Sequence, residues 1–127
     1  MDIKQLNQSE LQIMKYLWAI EEGFMKDIVE QFPEPRPAYT TISTLLKRMC
    51  DKKYVGFNKL GRDKLYFPIL KKNDYFLKQV NGMIRHFFND SKSQFTSFFT
   101  KNSDLSVEEL EELQNILKEL IKNKRAQ

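Results

Sequence analysis

The sequence predicts a mainly α-helical chain with one small β-hairpin, divided into an N-terminal domain over residues 1–72 and a helical domain over residues 73–127. Three observations carry that expectation. Apolar residues recur at helical spacing in three successive stretches ahead of Tyr54. The pattern then changes to two short runs of aromatic and branched residues on either side of Gly61. After Lys72 helical spacing returns and persists towards the C-terminus. A period near 3.6 marks an amphipathic helix, and short branched or aromatic runs around a glycine mark a hairpin.

The first helix has a well-marked start. Asn7 can cap it, and Glu10 sits three residues on, where its carboxylate can reach back to the cap amide. Leu6 and Leu11 are spaced as a hydrophobic staple, and Leu11, Met14, Leu17 and Trp18 form one stripe. Gly23 is expected to end this unit. Met25 to Phe32 reads as a short second helix with Met25, Ile28, Val29 and Phe32 on one side. The segment Pro33–Pro37 stops it, because proline blocks helix continuation and pushes the preceding residue towards extended geometry. The third helix is expected from Tyr39 to Lys53. Tyr54–Leu60 and Lys64–Leu70 then form the hairpin, with its tip at Gly61–Lys64. Pro68 places the second strand near an edge or close to its own end. The order helix, helix, helix, hairpin is that of a winged helix-turn-helix, in which the third helix can enter a DNA major groove and the hairpin can touch the flanking backbone.

Lys71–Asp74 reads as the boundary. Helical spacing resumes over Tyr75–Phe88, followed by a short aromatic segment at Gln94–Phe99. Ser106 with Glu109 is a second capping box, and Leu105 with Leu110 a second staple. Leu110, Leu113, Ile116, Leu117, Leu120 and Ile121 make one long stripe on the last helix. These helices carry more large apolar groups than three short helices can hide. Burial of each is worth roughly 1.5–3 kcal/mol. A partner chain is therefore expected on Phe76, Val80, Ile84, Phe87, Phe88, Phe95, Phe99, Leu113, Leu117 and Leu120. The alternative is that the helices fold back on the first domain. Asp90–Ser93 is expected to be a flexible joint in between.

Composition narrows the function classes. The chain has 127 residues, 30% charged and 41% apolar, which allows a packed core and argues against wholesale disorder. No apolar run approaches the ~20 residues that span a bilayer. The N-terminal MDIKQLNQSE lacks the basic-then-apolar layout of a signal peptide, so a soluble cytoplasmic protein is expected. A single cysteine, Cys50, and a single histidine, His86, cannot supply an intrachain disulfide or four Cys/His ligands for zinc. There is no catalytic constellation and no phosphate loop, so neither an enzyme nor a metal or small-molecule cofactor is expected.

The net charge of +4 is unevenly placed. From Arg36 to Lys72 ten Lys and Arg residues face two acids, Asp51 and Asp63, a local charge of +8 that leaves −4 for the remainder. A basic middle between mildly acidic ends points to a polyanion. Charge alone also fits a solvated lysine face.

The third helix sharpens the choice. Each residue turns the helix by about 100°. Ile42, Leu45, Leu46 and Met49 then lie together, opposite Thr40, Ser43, Thr44 and Lys47, with Thr41 and Arg48 on the flanks. Short hydroxyl side chains near the helix start allow close approach to a groove, and a threonine methyl can meet a thymine methyl. The expected DNA-binding residues are Tyr39, Thr40, Thr41, Ser43, Thr44, Lys47 and Arg48, with Arg62 and Lys64 at the hairpin tip on the flanking backbone. Lys52, Lys53 and Lys59 are expected to add to the field. The competing class is a winged-helix protein-interaction module without DNA binding, which would more often carry an apolar or acidic patch on this face.

Three segments, LNQSELQIMKYLW, AYTTISTLLKRMCDKKYV and GRDKLYFPIL, resemble the penicillinase-repressor family of the BlaI, MecI and CopY type. The resemblance is close over about residues 5–72 and looser beyond. It implies a homodimeric winged-helix repressor of dyad-symmetric operator DNA, dimerised through its C-terminal helices. In the antibiotic-responsive branch a membrane-bound sensor metalloprotease triggers cleavage at an Asn-Phe bond before the last helix. Phe98–Phe99 stands at that place here, so Phe99 matches and Phe98 replaces the asparagine. The paired C-terminal cysteines of the copper-responsive branch have no counterpart in this chain.

Overall fold

The computed structural model describes residues 5–127; residues 1–4 of the expected N-terminal domain lie outside them. The described elements are α1 (Gln8–Ile20), β1 (Gly23–Phe24), α2 (Met25–Gln31), α3 (Tyr39–Asp51), β2 (Val55–Leu60), β3 (Asp63–Pro68), α4 (Lys72–Phe88), α5 (Lys92–Asn102) and α6 (Val107–Arg125). They form two compact units, Met1–Val80 and Asn81–Gln127, with α4 contributing to both.

The capping box of α1 forms as the sequence dictates. Asn7 Oδ1 accepts from the Glu10 amide at 2.8 Å, and Glu10 Oε1 accepts from the Asn7 amide at 3.1 Å. The helix does not run on to Gly23. It stops at Ile20, and Glu21 takes the positive φ of 70° while its amide donates to the Leu17 carbonyl at 2.7 Å. Gly23 is instead buried in β1, opposite Tyr66 of β3. A Cβ there would sit 2.7 Å from Ile20 Cδ1, the movable end of that side chain, and 3.2 Å from Asp27 Cβ, a tight approach that glycine avoids.

The hairpin is part of a three-stranded antiparallel sheet in the order β1–β3–β2. Two residues are too few to show an alternating pattern, which is why β1 has no signature in the sequence. The pairing of Leu60 with Asp63 leaves Gly61 and Arg62 as the loop. Gly61 has φ 66°, and two-residue hairpin loops of the favoured kinds need a positive φ at their first position. Pro68 is the last residue of β3, where its missing amide costs the ladder least.

The core of the first unit joins α1, α2, α3 and the sheet. Ile13, Met14, Leu17, Ile28, Ile42, Leu46 and Met49 are completely buried, with Val55 nearly so. The buried face of α1 is rotated from the expected stripe: Ile13 is inside, while Leu11 and Trp18 are half-buried at its edge. Two hydrogen bonds tie the start of α4 to this unit. The Trp18 indole donates to the Leu70 carbonyl at 2.8 Å, and the Tyr75 hydroxyl accepts from the Leu6 amide at 3.0 Å.

In the second unit, Phe88 packs on Phe95 and Phe98 with ring centroids 5.7 Å away in each case. Phe95 and Phe99 stack at 6.0 Å. The joint at Asp90–Ser93 is a capped corner. Asn89 and Asp90 have φ 51° and 63°, and Ser91 Oγ accepts from the Gln94 amide at 3.1 Å. Ser106 and Glu109 form the expected box at the start of α6. No residue of α5 or α6 is buried. Phe76, Phe87, Phe99, Leu117 and Leu120 are exposed; Val80, Phe88, Phe95 and Leu113 are half-buried; Ile84 is already buried. Among the described residues, no helix is long and apolar enough to cross a membrane.

Candidate nucleic-acid interface

Helix α3 is held by one face and presents the other. Ile42, Leu46 and Met49 are 0% exposed, and the fourth residue of that stripe, Leu45, is half-buried. Tyr39, Thr40, Thr41, Ser43, Thr44, Lys47 and Arg48 are all exposed. Pro37 precedes the helix and Ala38 opens it, accepting from the Thr41 and Ile42 amides at 3.0 and 3.2 Å. With no capping side chain in the way, the small Ala38 leaves the helix start open to an approaching ligand.

One hydroxyl is not free to donate. Thr44 Oγ1 donates to the Thr40 carbonyl at 2.8 Å, the back-bonding common for threonine within helices. Its proton is used within the helix, leaving its methyl and the oxygen lone pairs for contact.

The hairpin meets the start of α3 at a concavity of about 460 Å³. Tyr39, Ser43, Arg62 and Lys64 line it together, joined by Phe24, Met25, Lys26, Asp63 and Tyr66. The other five expected residues, Thr40, Thr41, Thr44, Lys47 and Arg48, are on α3 outside that lining. Lys26 was not expected here. It belongs to α2, and only the pairing of β1 with β3 brings that end of α2 to the hairpin. Three cations, Lys26, Arg62 and Lys64, face one carboxylate, Asp63, so the concavity favours anions. The Lys64 ammonium sits 4.5 Å from the centroid of the Phe57 ring, a cation–π contact that steadies it on the hairpin.

Other titratable groups nearby are tuned away from reactivity. Burial pushes the Tyr66 phenol up, and the neighbouring Cys50 and Tyr39 add to that, so it stays a neutral hydroxyl. Burial also raises the Cys50 thiol, with Lys64 opposing and Asp51 reinforcing. A raised thiol pKa is the reverse of what a nucleophilic cysteine needs.

Two further cations of the basic segment, Arg36 and Lys52, are engaged by oxygens within the fold. Arg36 Nε donates to the Phe32 carbonyl at 2.9 Å, and its guanidinium pairs with Glu34 at 3.0 Å. Lys52 Nζ donates to Glu10 Oε2 at 2.8 Å. Burial raises the Glu10 carboxyl, but the Lys52 hydrogen bond, the Asn7 amide and the charges of Lys52 and Arg48 outweigh it, and the pKa lies below the ordinary value.

Known proteins resemble this chain over most of its length. The model of the penicillinase repressor family matches residues 6–119. The penicillinase repressor of Bacillus licheniformis is 28% identical over 118 residues, covering 92% of this chain and 92% of that protein. The methicillin resistance regulatory protein MecI of Staphylococcus aureus strain N315 is 24% identical, covering 89% of this chain and 93% of that protein. The solved DNA-binding domain of the repressor BlaI superimposes with a TM-score of 0.52 at 27% identity, over 58% of this chain and 92% of that one. The first unit is thus a winged helix, the fold that the order of its elements predicts.

Proposed function

Because the chain belongs to the penicillinase repressor family, we propose that it is a transcriptional repressor that binds dyad-symmetric operator DNA in the cytoplasm as a homodimer. The observation that carries this reading is the exposed hydroxyl and basic face of α3, set opposite three completely buried residues and beside the basic hairpin. Thr40, Thr41, Ser43 and Thr44 face base edges, Lys47 and Arg48 take bases or phosphates, and Arg62 and Lys64 pin the flanking backbone. The family relationship and the absence of an apolar or acidic patch among these residues favour DNA over a protein partner for this face.

The dimer is built from the second unit. Ile116, Leu117, Leu120 and Ile121 are each about half exposed along one side of α6, and Phe98 and Phe99 likewise on α5. A monomer rarely leaves so many large apolar groups in water, and a second copy covers them. The two α3 helices then address half-sites about one helical turn, or a multiple of it, apart.

Relief of repression by a membrane-bound sensor metalloprotease, as the family resemblance implies, acts in this reading at Phe98–Phe99. That bond lies within α5, so the helix must open before a protease can take it in extended form. Selection of bound duplexes from a random pool tests the central proposal. The expected outcome is an enriched site with two-fold symmetry; enrichment of no site, or of an asymmetric one, overturns it.

A further inference from the structure

Among the described residues, Glu10 is the buried charged side chain of the first unit, 5% exposed, and both of its oxygens are used. Oε1 closes the capping box on the Asn7 amide and Oε2 receives the Lys52 ammonium, 42 residues away in sequence. Lys52 is the residue that ends α3, directly after Asp51. Arg48, one turn earlier, also acts on the Glu10 carboxylate through its charge. One carboxylate therefore links the first turn of α1 to the C-terminal end of the helix whose exposed face is read as the DNA contact. The head of the Lys52 side chain is drawn to it, although half of that side chain stays in solvent.

We propose that Glu10 is a positioning residue for α3 and that, by holding Lys52, it removes this cation from the set that contacts phosphate. The inference rests on the DNA-binding reading above and sharpens it. Of the basic residues near α3, Lys47 and Arg48 are exposed, whereas the Lys52 ammonium is hydrogen-bonded to Glu10. A released phosphate counterion gives a salt slope, whereas a cation already neutralised by a carboxylate releases none. Freed from Glu10, Lys52 becomes a mobile charge at the end of α3 that adds affinity for any duplex without adding preference for one.

The test uses the full chain and compares Lys52→Met, Glu10→Gln, the double variant and Arg62→Met, with thermal unfolding run on each. Glu10→Gln keeps an oxygen for the Asn7 amide, so the cap survives. Binding to the selected operator and to an unrelated duplex is measured across salt. Lys52→Met is expected to leave the salt slope on the unrelated duplex unchanged, while Arg62→Met makes it shallower by about 0.9 per subunit. Glu10→Gln is expected to steepen that slope by up to about 0.9 per subunit and, because α3 loses its tether to α1, to reduce operator discrimination several-fold. In the double variant the steepening disappears, which loosened folding alone would not produce. A shallower slope for Lys52→Met, equal to that of Arg62→Met, overturns the inference, as does an unchanged slope for Glu10→Gln. If the wild-type chain binds no duplex at any salt, the DNA-binding reading itself falls and takes this inference with it.

Discussion

Thr44 offers the sharpest test of how α3 reads a base. Its hydroxyl proton is committed to the Thr40 carbonyl at 2.8 Å, so towards the groove it presents a methyl and lone pairs. It cannot donate to guanine O6 or N7 while that bond holds. The expectation is that its methyl meets a thymine methyl. Thr44→Val keeps the methyl and deletes the hydroxyl; Thr44→Ser does the opposite. Neither touches the core, since Thr44 is exposed, so stability should change by no more than about 0.5 kcal/mol. Covering one methyl is worth about 0.8 kcal/mol, roughly fourfold in affinity. Thr44→Ser should therefore lose about fourfold per subunit on an operator with thymine at the contacted position, and lose nothing further when that thymine is replaced by uracil, which lacks the methyl. Thr44→Val should retain the thymine preference. The measurement is a competition gel shift with the thymine and uracil duplexes against all three proteins. If Thr44→Val loses the preference and Thr44→Ser keeps it, the oxygen does the reading and the methyl assignment is wrong.

Four further outcomes are expected. Wild-type binding should weaken with salt at a log–log slope of roughly −5 for six phosphate contacts per dimer, and Arg62→Ala should make it shallower by about 1.8 without moving the melting temperature; a flat wild-type response would refute the electrostatic account. Leu46→Ala opens a void at a completely buried site on α3 and should cost about 2–5 kcal/mol in urea unfolding; a cost below ~1 kcal/mol would mean that α3 is not anchored there. Glu10 has a folded pKa below its ordinary value of 4.5, so its contribution is complete above that pH and is lost as pH falls through the lower folded value; Glu10→Gln should flatten that part of the acid profile of stability. Leu117→Glu, at a position 55% exposed in the single chain, should shift sedimentation from dimer to monomer with helical content intact, and an unchanged dimer would move the interface off α6.

Short-range chemistry explains which parts of this structure could be read in advance. Both capping boxes, Asn7 with Glu10 and Ser106 with Glu109, are interactions over three residues, so the amino-acid order alone specifies them. The Gly61 turn is equally local. The end of α1 departs from the sequence signal because glycine is the usual C-terminal residue, while here Glu21 carries the positive φ and Gly23 lies buried in β1. In the candidate interface, Tyr39, Ser43, Arg62 and Lys64 meet as a helix followed by a hairpin suggests. Lys26 was missed because nothing near it in the chain marks a site.

By itself, then, the amino-acid order determined the succession of helices and strands, the two faces of α3 and the basic bias of the middle segment, since each follows from periodicity or from neighbours within a few residues. Only the tertiary structure decided which cations face outward. Lys52 and Lys47 are indistinguishable as letters, yet one meets a buried carboxylate 42 residues away and the other meets solvent. The strand β1, the place of Lys26 beside the hairpin and the inward turn of Lys52 all depend on contacts between distant segments, and such contacts exist only once the core has closed around Ile13, Leu17, Ile42 and Leu46.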